Sequence, residues 1–261
     1  MKLNIVPART GITWVKLGIR TFLRQPLALS GLFFIYLAVV VILSAIPFAG
    51  AIAGGLLVPA ATLGLMAATA EAERGKFPMP TVLVSAFRAG KQRAAAMLQL
   101  GAIYTACSML ATLLGTMLGG TPPQATDPNA PPQLDAGALW TLLLHTPLFM
   151  LFWHAPALVH WHGVPPVKSL FFSAVACLRN LGAFAVYTFI WSLVFMGVAF
   201  VFGTLGLLFG GAGGARGAIM PAALLMAAMF SSSVWFTFRD SFTADDEASA
   251  SPPTPTTTPE T

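Results

Sequence analysis

The sequence predicts an all-α polytopic membrane protein: a bundle of about six transmembrane helices in three hairpins, each preceded by a cytosolic amphipathic helix. Three observations predict it. Charged residues make up only 9% of the 261 while apolar residues reach 56%, and a soluble domain carries about 25% charged residues. Apolar runs long enough to cross a hydrocarbon core roughly 30 Å thick recur at about 27–47, 50–70, 94–118, 137–161, 181–209 and 218–238. The basic residues, finally, alternate from one connection to the next.

The first run is too long for the apolar core of a signal peptide and follows an amphipathic stretch, so it is read as an uncleaved span. Residues 47–50 and 119–136 contain no Lys or Arg, and 210–217 has only Arg216. The other thirteen of the fourteen basic residues fall on the opposite side. By the positive-inside rule that side is cytoplasmic, which places the protein in a bacterial inner membrane with both termini inside. Residues 1–242 then form one membrane domain. The Pro-rich loop 119–136 is expected to be extended, and the tail 243–261, which has no apolar face to bury, is expected to be disordered and cytoplasmic.

A weak threefold repeat accompanies the hairpins. The pairs Arg24-Gln25, Lys91-Gln92 and Arg179-Asn180 each precede an apolar run, and aligning Lys91 with Arg179 also matches Ser85-Ala86 to Ser173-Ala174. In the first stretch Lys16, Arg20 and Arg24 recur every four residues, on one face of a helix. Trp14, Val15, Ile19 and Phe22 point elsewhere, the pattern of a helix lying in the interface. Lys16, Arg20, Arg24, Arg88, Lys91 and Arg179 are therefore the candidate contacts to lipid headgroups. Each cation near an anionic leaflet is worth about 1 kcal/mol. The second and third stretches open after Pro80 and Pro165-Pro166, where proline suits the first turn of a helix.

Three of the four histidines fall between His154 and His162, flanked by Trp153 and Trp161. On a helix His160 and His162 project about 200° apart, and neither His145 and His154 nor His154 and His160 share a face. That spacing supplies no chelating pair, so no metal site is expected. His160 and His162 are instead read as interfacial residues beside an aromatic belt. His145 and His154 are the ionisable groups inside the spans and form the candidate intramembrane polar site. Cys107 and Cys177 are read as small apolar fillers rather than a disulfide or zinc ligands.

No span holds a carboxylate, since none occurs between Glu73 and Asp127 or between Asp135 and Asp240. Acid-base pairs and hard-metal sites are thus not expected in the membrane. Ser108, Ser192 and Ser231 to Ser233 lack the context of a nucleophile elbow, and GAGGARG at 211–217 follows a span rather than a strand. No catalytic residue, no cofactor and no nucleic-acid partner is called for. Pro59, Pro147 and Pro156 lie within spans and are expected to kink them, leaving carbonyls that need a neighbouring helix or a hydroxyl. The fourth span, with two of these prolines, is the one most expected to bend, as broken helices that line transporter cavities do.

The stretches WVKLGIRTFLRQPL and FWHAPALVHWHGVPPVKSLFFSAVACLRN resemble an uncharacterised family of six-helix inner-membrane proteins of proteobacteria, itself similar to the membrane domain beside some glycerophosphodiester phosphodiesterases. The residues that carry the resemblance are Trp14, Gly18, Phe22, Pro26, Ala155, Pro156, Ala157, Pro166, Arg179 and Asn180. It covers most of the chain, from about Pro7 to Asp240, and implies architecture without an activity. Two functions remain open. One is a non-enzymatic module that organises anionic phospholipid or an unidentified protein partner at the cytosolic face. The other is a transporter or channel for a small neutral or anionic solute. Reporter fusions after Gln124 are expected to read periplasmic and fusions after Ser241 cytoplasmic; a cytoplasmic signal at Gln124 would break the six-span arrangement.

Overall fold

A computed structural model describes residues 2–120 and 135–243, and the chain there is a helical bundle. The loop expected at 119–136 and the tail expected at 243–261 lie almost wholly outside those residues. α1 (Thr10–Arg24) ends at Gln25, and Pro26 opens α2 (Pro26–Ser44), which runs through a short turn into α3 (Ala49–Glu73). A 3-10 turn (Pro80–Val84) and the four-residue α4 (Ser85–Arg88) lead to α5 (Lys91–Gly119). α6 (Ala136–Phe152), α7 (Ala155–His162), α8 (Pro166–Arg179) and α9 (Leu181–Ser241) complete the bundle. Two-residue strands, β1 (Lys2–Leu3) and β2 (Phe242–Thr243), pair antiparallel and tie the two ends of the described chain together.

Five helical segments are long and apolar enough to cross a membrane: α2, α3, α5, α6 with α7, and α9. α9 is two antiparallel limbs folded at Gly210 and Gly211, so the crossings number six. Because the chain doubles back in each hairpin, α1, the 3-10 turn with α4, and α8 gather at one end, here called the basic end. The expected loop at 210–217 is corrected: helix resumes at 212. A two-glycine turn suffices, since Gly211 takes a φ of +59° that has no Cβ to obstruct it. Some helices also overrun the expected spans at the basic end, which brings Glu73, Arg239 and Asp240 into helical positions.

The predicted register of the middle repeat shifts as well. α1 ends on Arg24, α4 on Arg88 and α8 on Arg179, whereas Lys91 opens α5. Aligned on those arginines, Gly18, Val82 and Ser173 are buried, as are Phe22, Ala86 and Cys177. Gly90, with a φ of +102°, separates α4 from α5 and moves the helix end upstream of Lys91.

The fourth span shows how the bundle treats a broken helix. α3 and α6 stay helical through Pro59 and Pro147. The interruption comes between Phe152 and Ala155, because Pro156 has no N–H to offer the carbonyl of Phe152 and its ring crowds that carbonyl. Two residues earlier, the hydroxyl of Ser173 on α8 stands where the helical bond from His154 to Met150 would be. Its Oγ accepts from the His154 N–H at 2.9 Å and donates to the Met150 carbonyl at 2.8 Å. The Cys177 thiol also points to that carbonyl, at 3.7 Å. Burial pushes the thiol up to about 12, so it stays a neutral donor. Replacing Ser173 by Ala removes both hydroxyl bonds together, and the expected cost is about 1–3 kcal/mol, seen as a lower thermal midpoint in detergent. An unchanged midpoint would mean that Pro156 alone sets the break.

Candidate functional site

α1 acquires its position from its small residues. A Cβ at Gly11 would lie 2.3 Å from the Ala183 carbonyl oxygen on the first limb of α9, and one at Gly18 would lie 2.4 Å from Cβ of Ser233 on the second. The helix therefore rests in the groove between the limbs at backbone distance. Trp14 and Val15 join Ala183, Tyr187, Trp191 and Phe236 in one core cluster, and Phe22 enters another with Leu29, Leu32 and Ala68. This corrects the expectation that Trp14, Val15 and Phe22 face the interface. Those side chains are spent on the protein's own core, and only Ile19 remains partly exposed.

A polar clasp closes over this contact. The Trp14 indole N–H donates to Asp240 Oδ2 at 2.9 Å, and Arg239 Nε donates to Asp240 Oδ1 at 2.8 Å. Arg239 also pairs with Glu73, whose second carboxylate oxygen accepts from the Trp235 indole at 2.7 Å. Asn180 accepts from the Val6 N–H at 2.8 Å and donates to the Asn4 carbonyl at 3.1 Å. Glu73, Arg239, Asp240 and Asn4 escape sequence reasoning because, the adjacent Arg239–Asp240 pair aside, these bonds reach partners 162 to 236 residues away. The one available signal is the placement of charges at the ends of apolar runs.

With its apolar side buried, α1 presents Lys16, Arg20 and Arg24 outward around a shallow groove that also holds Ile19 and Leu23. None of the three cations forms an ion pair with a described residue. Arg88, Lys91 and Arg179 are exposed at the same end. A second feature adjoins Arg88: a polar cleft of about 460 Å3 bounded by α3, residues 79–89 and α7, with Glu71, Thr81, Ser85, Arg88 and His160 among its lining residues. Arg93 donates to the His160 carbonyl and fastens α7 to α5.

The histidines disperse. His145 Nδ1 lies 2.8 Å from the Thr141 carbonyl, so that nitrogen carries the proton, and Nε2 accepts from Ser108 of α5 at 3.2 Å. His154 is fully buried at the break, among the rings of Phe184, Phe238 and Phe242, and neither ring nitrogen has a partner within the described residues. His145 and His154, the two candidates for an intramembrane polar site, thus occupy separate environments. His162 sits against Phe238, at 5.9 Å between ring centroids. Among the described residues no three His, Cys, Asp or Glu side chains converge as metal ligands would.

Between α2, α3, α5, α6 and the second limb of α9 lies a cavity of about 330 Å3, walled by residues that include Phe33, Tyr36, Met66, Tyr104, Phe152 and Phe230. Its lining carries hydroxyls but no charged side chain. The chain is 39% identical over 254 residues to a protein of Burkholderia thailandensis named as a probable inner membrane protein, covering 93% of this chain and 94% of that one. No protein-family model matches the chain, and no solved structure does. Asp240→Ala strips the partner from the buried Trp14 N–H, a loss of about 1.5–3 kcal/mol for a bond to a charged group. The expected readouts are a lower thermal midpoint and new tryptic cleavage at Lys16 and Arg20; unchanged protection would show that the clasp does not hold α1.

Proposed function

Because the chain belongs to one family with that Burkholderia thailandensis inner-membrane protein, we propose that it is an integral inner-membrane module whose basic end faces the cytosol and gathers anionic phospholipid without catalysing a reaction. The observation that carries this reading is the outward face of α1, where Lys16, Arg20 and Arg24 stand without an ion pair to any described residue. Cations left unpaired beside apolar spans interact with anionic headgroups, and a rigid helix loses little entropy in presenting three together. Arg88 and Arg179, at the matching ends of α4 and α8, extend the same surface. Six crossings already hold the protein in the bilayer, so these charges act on lipid rather than as an anchor.

A second reading, transport of a small solute, is supported by the cavity beside the broken fourth span. Its uncharged, largely aromatic wall favours a neutral solute over an anionic one. Flux in proteoliposomes that stops when Val58→Trp fills the cavity would carry that reading instead. For the first, full-length protein in mild detergent is offered phosphatidylglycerol at low and high salt and scored by native mass spectrometry. The Lys16→Gln/Arg20→Gln/Arg24→Gln variant is expected to lose affinity by about fivefold per charge at low salt, with the difference closing as salt shortens the Debye length. Equal, salt-insensitive retention by parent and variant would overturn the proposal.

A further inference from the structure

We propose that the cleft beside Arg88 is a second and chemically distinct lipid site, one that takes a zwitterionic headgroup carrying a phosphate and a primary ammonium. Opposite charges line the same space without neutralising each other: Glu71 on α3 and Arg88 at the end of α4 form no ion pair. Two of its lining residues each carry a buried polar atom, Ser85 Oγ and His160 Nδ1, that has no hydrogen-bond partner in the described structure. Buried donors and acceptors in folded proteins are almost always satisfied, so an unpaired pair flanking a cation is what a phosphate acceptor would complete. Arg88 supplies the charge, and the Ser85 hydroxyl and the His160 imidazole supply donors to the phosphate oxygens. Glu71 accepts from the ammonium.

The same carboxylate argues against a purely anionic headgroup, which it would repel, and Arg88 argues against a bare cation. That the ligand is a phospholipid rather than a soluble phosphoamine follows from the other side of the segment. Thr81, Ser85 and Arg88 face the polar cleft, whereas Pro80, Leu83, Val84 and Phe87 line an apolar crevice of about 230 Å3 against α2 and α3. Ile35 and Val39 at that crevice are 44% and 43% exposed, so it opens on the surface that meets acyl chains. One short amphipathic segment thus divides a place for a headgroup from a place for its tails. This site uses none of the α1 cations and shares only Arg88 with the basic surface proposed above.

The test uses full-length protein carrying Lys16→Gln/Arg20→Gln/Arg24→Gln, so that the outcome does not depend on whether α1 gathers anionic lipid. After delipidation in detergent, phosphatidylethanolamine and phosphatidylglycerol with identical acyl chains compete for binding, scored by native mass spectrometry. The ethanolamine lipid is expected to be retained about tenfold or more over the glycerol lipid, the scale of a bond to a charged group. Glu71→Gln should abolish that discrimination, and Arg88→Gln should weaken retention of both lipids. Free O-phosphoethanolamine should compete poorly, because it has no tails for the crevice. Equal retention of the two lipids, or preference for the glycerol lipid, overturns the proposal without any variant at the site. Competition by free O-phosphoethanolamine as strong as by the lipid overturns its membrane source.

Discussion

The close approach of α1 to the folded α9 is the contact on which the rest of the basic end depends. Gly11 and Gly18 let the two backbones meet, one on each limb. Trp14 then fills the space between the limbs and delivers its N–H to Asp240. Once that indole is buried, Asp240 must stay in place to accept its N–H, and Arg239 holds it there while reaching Glu73 at the end of α3. The clasp thereby connects the first hairpin to the last. It also decides which face of α1 is left for anything else: Trp14, Val15 and Phe22 are consumed, and the cations remain with Ile19 and Leu23 among them.

A second constraint comes from the bilayer. Backbone groups inside a membrane have no water to turn to, so every interruption of a helix requires a protein partner. The fourth span is interrupted at Trp153 and His154, and a hydroxyl from α8 serves both exposed groups. α8 is therefore more than a connection between hairpins, because it completes the helix it follows. The break also turns α7 so that His160 closes one wall of the cleft beside Arg88. The three short helices at the basic end share a buried pattern and end on an arginine, yet each does different work. α1 seals the last hairpin, the 3-10 turn with α4 divides a polar cleft from an apolar crevice, and α8 repairs a helix.

Much of the architecture was legible without coordinates, for a local reason. Crossing a hydrocarbon core requires some twenty consecutive apolar residues, and that requirement is met within each segment irrespective of its neighbours. The bundle, the hairpins and the cations at helix ends all belong to this class. So does the need for a partner from a neighbouring helix or a hydroxyl near Pro156, since a proline removes a donor wherever it sits in a helix.

What only the tertiary structure decided were relationships between distant residues. Whether Trp14 faced lipid or protein depended on a groove built from residues 183 and 233, and Phe22 on a cluster with Leu29, Leu32 and Ala68, neither of which any periodicity in α1 encodes. The register of the middle repeat turned on a single backbone angle at Gly90, invisible in a comparison of basic-amide pairs. His145 and His154 looked alike as ionisable groups in one span, yet one pairs with Ser108 on a neighbouring helix and the other is walled in by phenylalanines. Glu71 carried no motif and Ser85 only a repeat match to Ser173, yet the fold sets both around one cleft with Arg88 and His160. Hydropathy is a property of a segment and can be read along the chain. A site is a convergence of segments, and its geometry exists only after they have packed.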